Sequence, residues 1–552
     1  MTNAPFTIDP TLEERVAKLR INPQAIEKIT ITESSGETLV LQNQIEQSNS
    51  MQIISSVTAN DGTISATGAR QALSVYGSAI LANSESIPGR HKTVEMLQRI
   101  AQTGVTARSI IERKYDAKPL PLATTELREI AAKFNNRVIV YDEAGILQSV
   151  AKVNNAFSWV FKHQQDDVFN FAAFKAAPLF GLQDIIYGNG MGADCSSKPE
   201  LHAARALGLP GSKMMFTANG VDHSEYRLAR KYGAILNIDD MTDISYVQEI
   251  GPLPEFVVLR YNPGKRKTGG NHVFGNTEDQ KFGIPHEQMI DAIKLLQAGG
   301  VKRFGLHMMV VSNERDAQNL IDTSELAFKI VGEIKNKTGE EIEDLDLGGG
   351  FGTSYRPEDL ELPVDEVSAG VKNNYEHLIL GQGLKPIRLA MENGRYLTGQ
   401  HGIGLFEVLR VQQKYHEFVR LNAAMPVNMR PGMYGAYHHL TVLGKEREPQ
   451  NKIYRVVGNL CENNDHFAID RAMPLVERGD IIAMHNCGAH TPGMGFEYNF
   501  RLDCTHVLRQ VDGSLVVLRR EKTPVELMIA QDHSPIFGKY AELVRNETKP
   551  EN

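Results

Sequence analysis

Apolar residues along the chain fall into three regimes. Residues 1 to about 115 are mostly polar, with two strand-like stretches, Lys28–Thr32 and Thr38–Leu41, a Ser/Gly/Thr-rich run near 48–67 and a helical repeat near 93–114. From Val138 to about residue 405, brief apolar runs alternate with helical segments: Val168–Phe174, Ala193–Ser196, Lys213–Phe216, Ala234–Ile238, Phe256–Arg260, Arg303–Val311, Asp344–Leu347 and Arg388–Met391. Strands alternating with helices in this way predict an α/β architecture, a (β/α)8 barrel. After Phe406 the pattern changes to β segments joined by turns, among them Lys452–Gly458, Asp480–His485 and Leu515–Arg520, which predicts a separate β-domain. The expected division is an N-terminal extension over 1–115, a barrel with a preceding strand over 116–405, and a C-terminal β-domain over 406–552.

Composition narrows the function classes. A chain of 552 residues exceeds the roughly 250–300 at which a single core stops growing. A net charge of -8 argues against a nucleic-acid surface or a basic membrane patch. No stretch approaches the ~20 apolar residues of a spanning helix, and Met1–Phe6 lacks the basic and apolar regions of a signal peptide. Cys195, Cys461, Cys487 and Cys504 are scattered, without CxxC spacing, so reduced thiols in a cytoplasm are expected rather than a disulfide framework or a metal site.

Candidate chemistry gathers where the barrel strands should end, the face on which such barrels carry their sites. Lys175 lies in the apolar run Phe171-Ala-Ala-Phe-Lys-Ala-Ala-Pro178. Desolvation there would lower its pKa towards the range of a nucleophilic, Schiff-base amine, the plainer alternative being a lysine that snorkels from a strand end. Asp194 and Ser196 follow a second strand, Arg260 a third, His307 and Ser312 a fourth. Gly348, Gly349 and Gly350 could expose amides to a phosphate, or simply make a tight turn. Glu392 could face a protonated pyridine nitrogen, or bind Arg395 three residues on. Arg260 could meet a phenolic oxygen or close an ion pair within the barrel.

With these motifs in order, the sequence closely resembles the diaminopimelate decarboxylase branch of the fold-type III pyridoxal-phosphate decarboxylases, over roughly residues 120–545. The carriers are Phe174-Lys-Ala, Gly192-Ala-Asp-Cys-Ser196, Lys281-Phe-Gly-Ile284, Asp346-Leu-Gly-Gly-Gly-Phe-Gly352, Glu392-Asn-Gly-Arg395, Arg430-Pro-Gly-Met-Tyr-Gly-Ala-Tyr437, Leu460-Cys-Glu462 and Gly488-Ala-His490. The resemblance implies an alanine-racemase-like barrel with a C-terminal β-barrel domain, pyridoxal 5'-phosphate as cofactor, and active sites shared within a homodimer. It implies cofactor contacts from Lys175, Asp194, Arg260, Met309, Ser312, Gly348, Gly349, Gly350, Glu392, Gly394 and His490. Arg395, Arg430, Tyr434, Tyr498 and His490 match or lie near substrate positions. Cys461 and Glu462 match a pair given by the other subunit, the cysteine as proton donor and the glutamate against the substrate amine.

The sequence departs from the family pattern in three places: Met309 stands where a ring-stacking histidine is usual, His490 where a tyrosine is, and Asn393 where a proline follows the glutamate. A thioether can still pack on an aromatic face, and imidazole can still donate to phosphate. The implied reaction is decarboxylation of meso-2,6-diaminopimelate to L-lysine. The alternatives are decarboxylation of another diamino acid or a carboxylated polyamine, or a catalytically silent homologue with a binding role. Racemisation fits less well, because Cys-Glu sits where that reaction would need a partner tyrosine.

Overall fold

The computed structural model describes residues 26–33, 38–42, 63–65, 69, 90–103 and 107–547, except 165–167, 218, 265–278 and 502. Eight parallel strands form the central sheet: β1 (Phe171–Ala173), β2 (Gly192–Cys195), β3 (Met214–Thr217), β4 (Ile235–Ile238), β5 (Phe256–Asn262), β6 (Arg303–His307), β7 (Ile342–Asp346) and β8 (Arg388–Ala390). Each pairs with the next in chain order, and the sheet closes because Phe171 N donates to Met391 O at 2.7 Å and Met391 N to Phe169 O at 2.9 Å. The strands are short and almost wholly buried, as parallel strands covered on both faces should be. Helices between them start on side-chain caps where the sequence supplies an aspartate: Asp222, Asp240 and Asp316 each accept from backbone amides of the first turn. Helix Ala317–Thr338 buries Leu320, Ser324, Ala327, Val331 and Ile334 at helical spacing, with Thr323, Phe328 and Ile330 widening the face, towards helix Val364–Leu378 and the sheet.

The boundary of the β-domain differs from the expected one. The strand Arg137–Asp142, expected to precede the barrel, lies in the sheet of the C-terminal domain, antiparallel to Gly402–Gln413 and parallel to Thr505–Arg509. Its burial pattern explains the difference, since Val138 and Val140 pack with Ile403, Leu405 and Val507 in that domain's core. The strand pattern could show a buried strand but not the sheet it would join.

In the N-terminal region a small antiparallel sheet runs in the order Thr38–Gln42, Ile26–Glu33, Ala107–Arg113, Thr63–Ile64. The helix expected over 93–114 spans Arg90–Thr103 and is followed by a strand, in keeping with Gly104 and the β-branched residues after it. The Ser/Gly/Thr-rich run near 48–67 lies outside the described residues apart from 63–65. Arg113 ties this sheet to the β-domain through backbone pairing with Gln450, and to the barrel through a buried ion pair with Glu358 at 2.9 Å. Asp116 follows, accepting from His439 Nε2 at 2.7 Å and Thr441 Oγ1 at 2.6 Å.

Candidate active site

The C-terminal ends of the barrel strands bring Lys175, Asp194, Thr217, Arg260, His307, Asp346 and Glu392 to one level. Register fixes this: Asp194 lies opposite Ala173, and His307 opposite both Arg260 and Asp346. Lys175 sits in the tight turn Phe174–Ala176 that ends β1. Its side chain is 53% exposed and its Nζ lies 3.4 Å from Asp194 Oδ2. The sequence expectation of a lone, desolvated lysine with a lowered pKa is therefore corrected. The Asp194 charge, opposed by burial and helped by Glu392, raises the lysine pKa. Asp194 is instead the group with the shifted balance: burial and the Glu392 charge push it up to about 7, against the pull of Lys175.

Glu392 leaves β8 at the barrel floor and does not pair with Arg395. Thr217 Oγ1 donates to its Oε1 at 2.9 Å and His307 Nε2 to its Oε2 at 3.1 Å. Burial alone would raise its pKa, but the His307 charge and bond, Lys175 and Thr217 together hold it down at about 2. An ionised carboxylate with two donors retains lone pairs for a third, so it can still accept a pyridinium N–H. Asp346, one strand away, shows the opposite balance: burial and the Glu392 charge raise it strongly, and its Oδ1 accepts from Gly348 N at 2.7 Å.

The glycine run after β7 has no room for side chains. A Cβ on Gly348 would meet Met308 O at 2.5 Å, and one on Gly350 would meet Val311 O at 2.8 Å; on Gly349 it would run into the Glu392 carbonyl. Gly348 and Gly350 also hold φ of +69° and +111°, which glycine alone adopts freely. Met309 closes this cradle, its Sδ 3.2 Å from Gly349 N, while Ser312 is half-buried on the same connection. Arg260 makes the ion pair with Asp239 at 3.2 Å and stacks over Phe282. Gly394, between Glu392 and Arg395, packs on the lysine turn.

A second cluster lies where the barrel meets the β-domain. Arg395, from the short helix after Gly394, and Arg430, from the β-domain, are 9% and 7% exposed. Both donate to the Tyr355 hydroxyl, at 2.7 and 2.9 Å, and Arg430 also donates to His438 Nε2 at 3.0 Å. Neither has a carboxylate partner among the described residues. His490, with φ of +56°, is anchored by its N–H to Ala176 O at 2.7 Å. Burial, then the Arg395, Arg430 and Lys175 charges, push its pKa well down. His490 thus links the lysine turn to the arginine pair.

Four expected residues differ from the buried clusters in exposure. Cys461, Glu462, Tyr434 and Tyr498 are exposed on the β-domain. Cys461 N donates to Asn499 Oδ1 at 2.8 Å, which joins the Cys461 turn to the segment bearing Tyr498. Sequence reasoning passed over Thr217 and Tyr355, carried Asp346 only as the start of the glycine motif, and gave His307 no partner. Each depends on pairing across strands or domains that no local spacing encodes.

The family described as pyridoxal-dependent decarboxylase, pyridoxal binding domain, matches residues 149–399. Protein TabA of Pseudomonas amygdali pv. tabaci is 34% identical over 402 residues, which cover 72% of this chain and 91% of that protein. The chain belongs to the pyridoxal-dependent decarboxylases. A diaminopimelate decarboxylase of Methanothermobacter thermautotrophicus is 28% identical, covering 73% of this chain and 93% of its own. The crystal structure of diaminopimelate decarboxylase from M. jannaschii in co-complex with L-lysine superposes with a TM-score of 0.67 at 27% identity, covering 74% of this chain and 94% of that one. This decarboxylase therefore uses pyridoxal phosphate, in the barrel-plus-β-domain architecture of the fold-type III enzymes.

The residues present fit that cofactor. An amine, an ionised buried carboxylate and a glycine cradle line one barrel end, and the buried Asp194 Oδ1 and His307 Nδ1 have no hydrogen-bond partner among the described residues. Lys175 would take the aldehyde, Glu392 the ring nitrogen, and the glycine cradle Gly348–Gly350, whose missing side chains allow close approach, the phosphate.

Proposed function

We propose that this decarboxylase acts on meso-2,6-diaminopimelate and releases L-lysine and carbon dioxide. The observation that carries the reading is the arginine pair: two buried guanidinium groups that converge on one phenol, with no carboxylate beside them among the described residues. Leaving a buried cation uncompensated is costly, and planar guanidinium groups match a carboxylate in both charge and geometry. A substrate with a second carboxylate, distal to the one lost, supplies that partner. Lysine and ornithine have no such group.

Bound pyridoxal phosphate supplies an aldehyde for the substrate amine and a ring that accepts the electron pair left by departing carbon dioxide. The chain's own residues set up the rest. Lys175 is held protonated by Asp194, so its amine becomes nucleophilic only when that proton moves; Asp194 Oδ2, at 3.4 Å and with a pKa near neutrality, is placed to take it. Glu392 stays ionised on the barrel floor, fixed by Thr217 and His307. Arg395 and Arg430 orient the distal end. For the proton returned to the substrate carbon we propose Cys461, presented with Glu462 by the second subunit of a homodimer in the cytoplasm. The exposure of both residues supports a role outside their own barrel.

Incubation with meso-diaminopimelate, lysine and ornithine in competition, with carbon dioxide and amine products followed, tests the proposal. Diaminopimelate should react far better than the other two, and Arg430→Ala should narrow the gap by losing the good substrate. Equal reaction of lysine or ornithine would refute the distal-carboxylate reading.

A further inference from the structure

The arginine pair meets on an atom that can do more than separate two cations. A tyrosine hydroxyl both accepts and donates. The Arg395 and Arg430 bonds use Tyr355 Oη as acceptor twice, and none of its hydrogen bonds among the described residues is a donated one. The ring is buried and rigidly placed. Its own backbone N–H and that of Arg356 donate to Asp359 Oδ2 at 2.9 and 2.8 Å, and the preceding carbonyl, Ser354 O, accepts from Lys118 Nζ and Asn486 Nδ2, both at 3.0 Å. His438 packs edge-on against the ring, with centroids 5.3 Å apart. Three separate parts of the chain thus fix one phenol between two guanidinium groups, and its O–H remains to be donated.

We propose that Tyr355 is a substrate-binding residue whose O–H is the third donor to the distal carboxylate, beside Arg395 and Arg430, and that it helps set the preference for a substrate carrying that group. The inference rests on the distal-carboxylate reading above. A carboxylate has about four lone-pair sites, so three converging donors fit it without crowding. A neutral phenol at this position also preserves what an aspartate or glutamate would cancel, the net positive charge of the pair. Before substrate arrives, Tyr355 gives the two guanidinium groups an acceptor, which lowers the cost of burying them unpaired.

The test compares holoenzyme of the wild type, Tyr355→Phe and Tyr355→Gln, with pimelate as a competing dicarboxylate that lacks both amines. In Tyr355→Phe the KM for meso-diaminopimelate and the Ki of pimelate should each rise about tenfold to a hundredfold, the range for losing a hydrogen bond to a charged group. The change for cadaverine, a diamine with no carboxylate, should be much smaller. Tyr355→Gln, which offers the arginines an acceptor and the substrate a donor, should recover part of the loss. Cofactor absorbance and the thermal midpoint report that each variant is folded. An unchanged Ki in Tyr355→Phe overturns the proposal, and so does a lower one, which would mark the phenol as an ionised counter-charge that substrate must displace. No recovery in a folded Tyr355→Gln would leave ring packing as the cause and also overturn it. Wild-type enzyme with no preference for diaminopimelate over lysine would bring down the substrate reading itself, and this role with it, before any variant is compared.

Discussion

Gly394→Ala places one methyl group between the two halves of the cofactor site. Gly394 has φ of −123°, open to any residue, so the substitution brings no backbone penalty and acts only through space. The new Cβ would lie 2.7 Å from Ala176 Cβ, 3.1 Å from Ala173 Cβ and 3.2 Å from Ala173 O. Carbon atoms rest at about 3.5–4.0 Å, so the two segments must part by about 1 Å. One of them is the turn that carries Lys175, flanked by Ala173 and Ala176, and the other holds Glu392 two residues before the new side chain. A displacement of about 1 Å between groups that act on the same substrate costs on the order of 10²-fold in rate. The expected result is a kcat/KM about a hundredfold below wild type, with an altered cofactor absorbance band, in a protein that still folds. Gly188→Ala is the matched control: Gly188 ends the helix Phe180–Gly188, and a Cβ there would meet nothing within 4 Å. It should keep wild-type activity. Wild-type kcat/KM and absorbance in Gly394→Ala would refute the packing that joins the lysine turn to the Glu392 segment.

Lys175→Ala should lose nearly all turnover while the fold persists, because the side chain is half exposed and contributes little packing; borohydride reduction with peptide mapping should label Lys175 in the wild type, and a label on another lysine would refute the assignment. Asp194 carries a pKa raised above its unfolded value, so its contribution to stability is complete below about 3.8 and is lost as pH rises through about 7. Asp194→Asn should flatten that decline in thermal midpoints measured from pH 5 to 8, and slow catalysis near neutrality; an unchanged slope would contradict the buried-acid reading. Cys461→Ala should slow product formation by about 10²–10⁴ with cofactor absorbance intact. Mixed with Lys175→Ala it should regain activity in hybrid dimers, and no recovery would argue for sites built within one chain.

The barrel was legible because its signal is local. Each expected strand from Val168–Phe174 to Arg388–Met391 overlaps an observed one, since a short apolar run ending in a polar or glycine residue reports both burial and the active face of the sheet. Where partners lie far apart in sequence, the reading stopped. Arg137–Asp142 was grouped with the barrel as its preceding strand because nothing in its residues encodes pairing with Gly402–Gln413, more than 250 positions away.

Electrostatics explains the rest. Lys175 read as a desolvated amine because its neighbours in sequence are apolar, but its neighbour in space is Asp194, and an opposite charge at 3.4 Å outweighs burial. The carboxyls at the barrel floor divide along the same line: Glu392, with donors on both oxygens, stays ionised, while Asp346 and Asp194, each with an oxygen lacking a hydrogen-bond partner among the described residues, are pushed towards the neutral form. One charge is thereby concentrated on Glu392, where a pyridinium would need it, and a carboxyl that titrates near neutrality stands beside Lys175, where an amine must lose a proton. This division arises from strands that meet only when the barrel closes, so the motifs named the residues, while the protonation states came from the register between β1, β2, β6, β7 and β8.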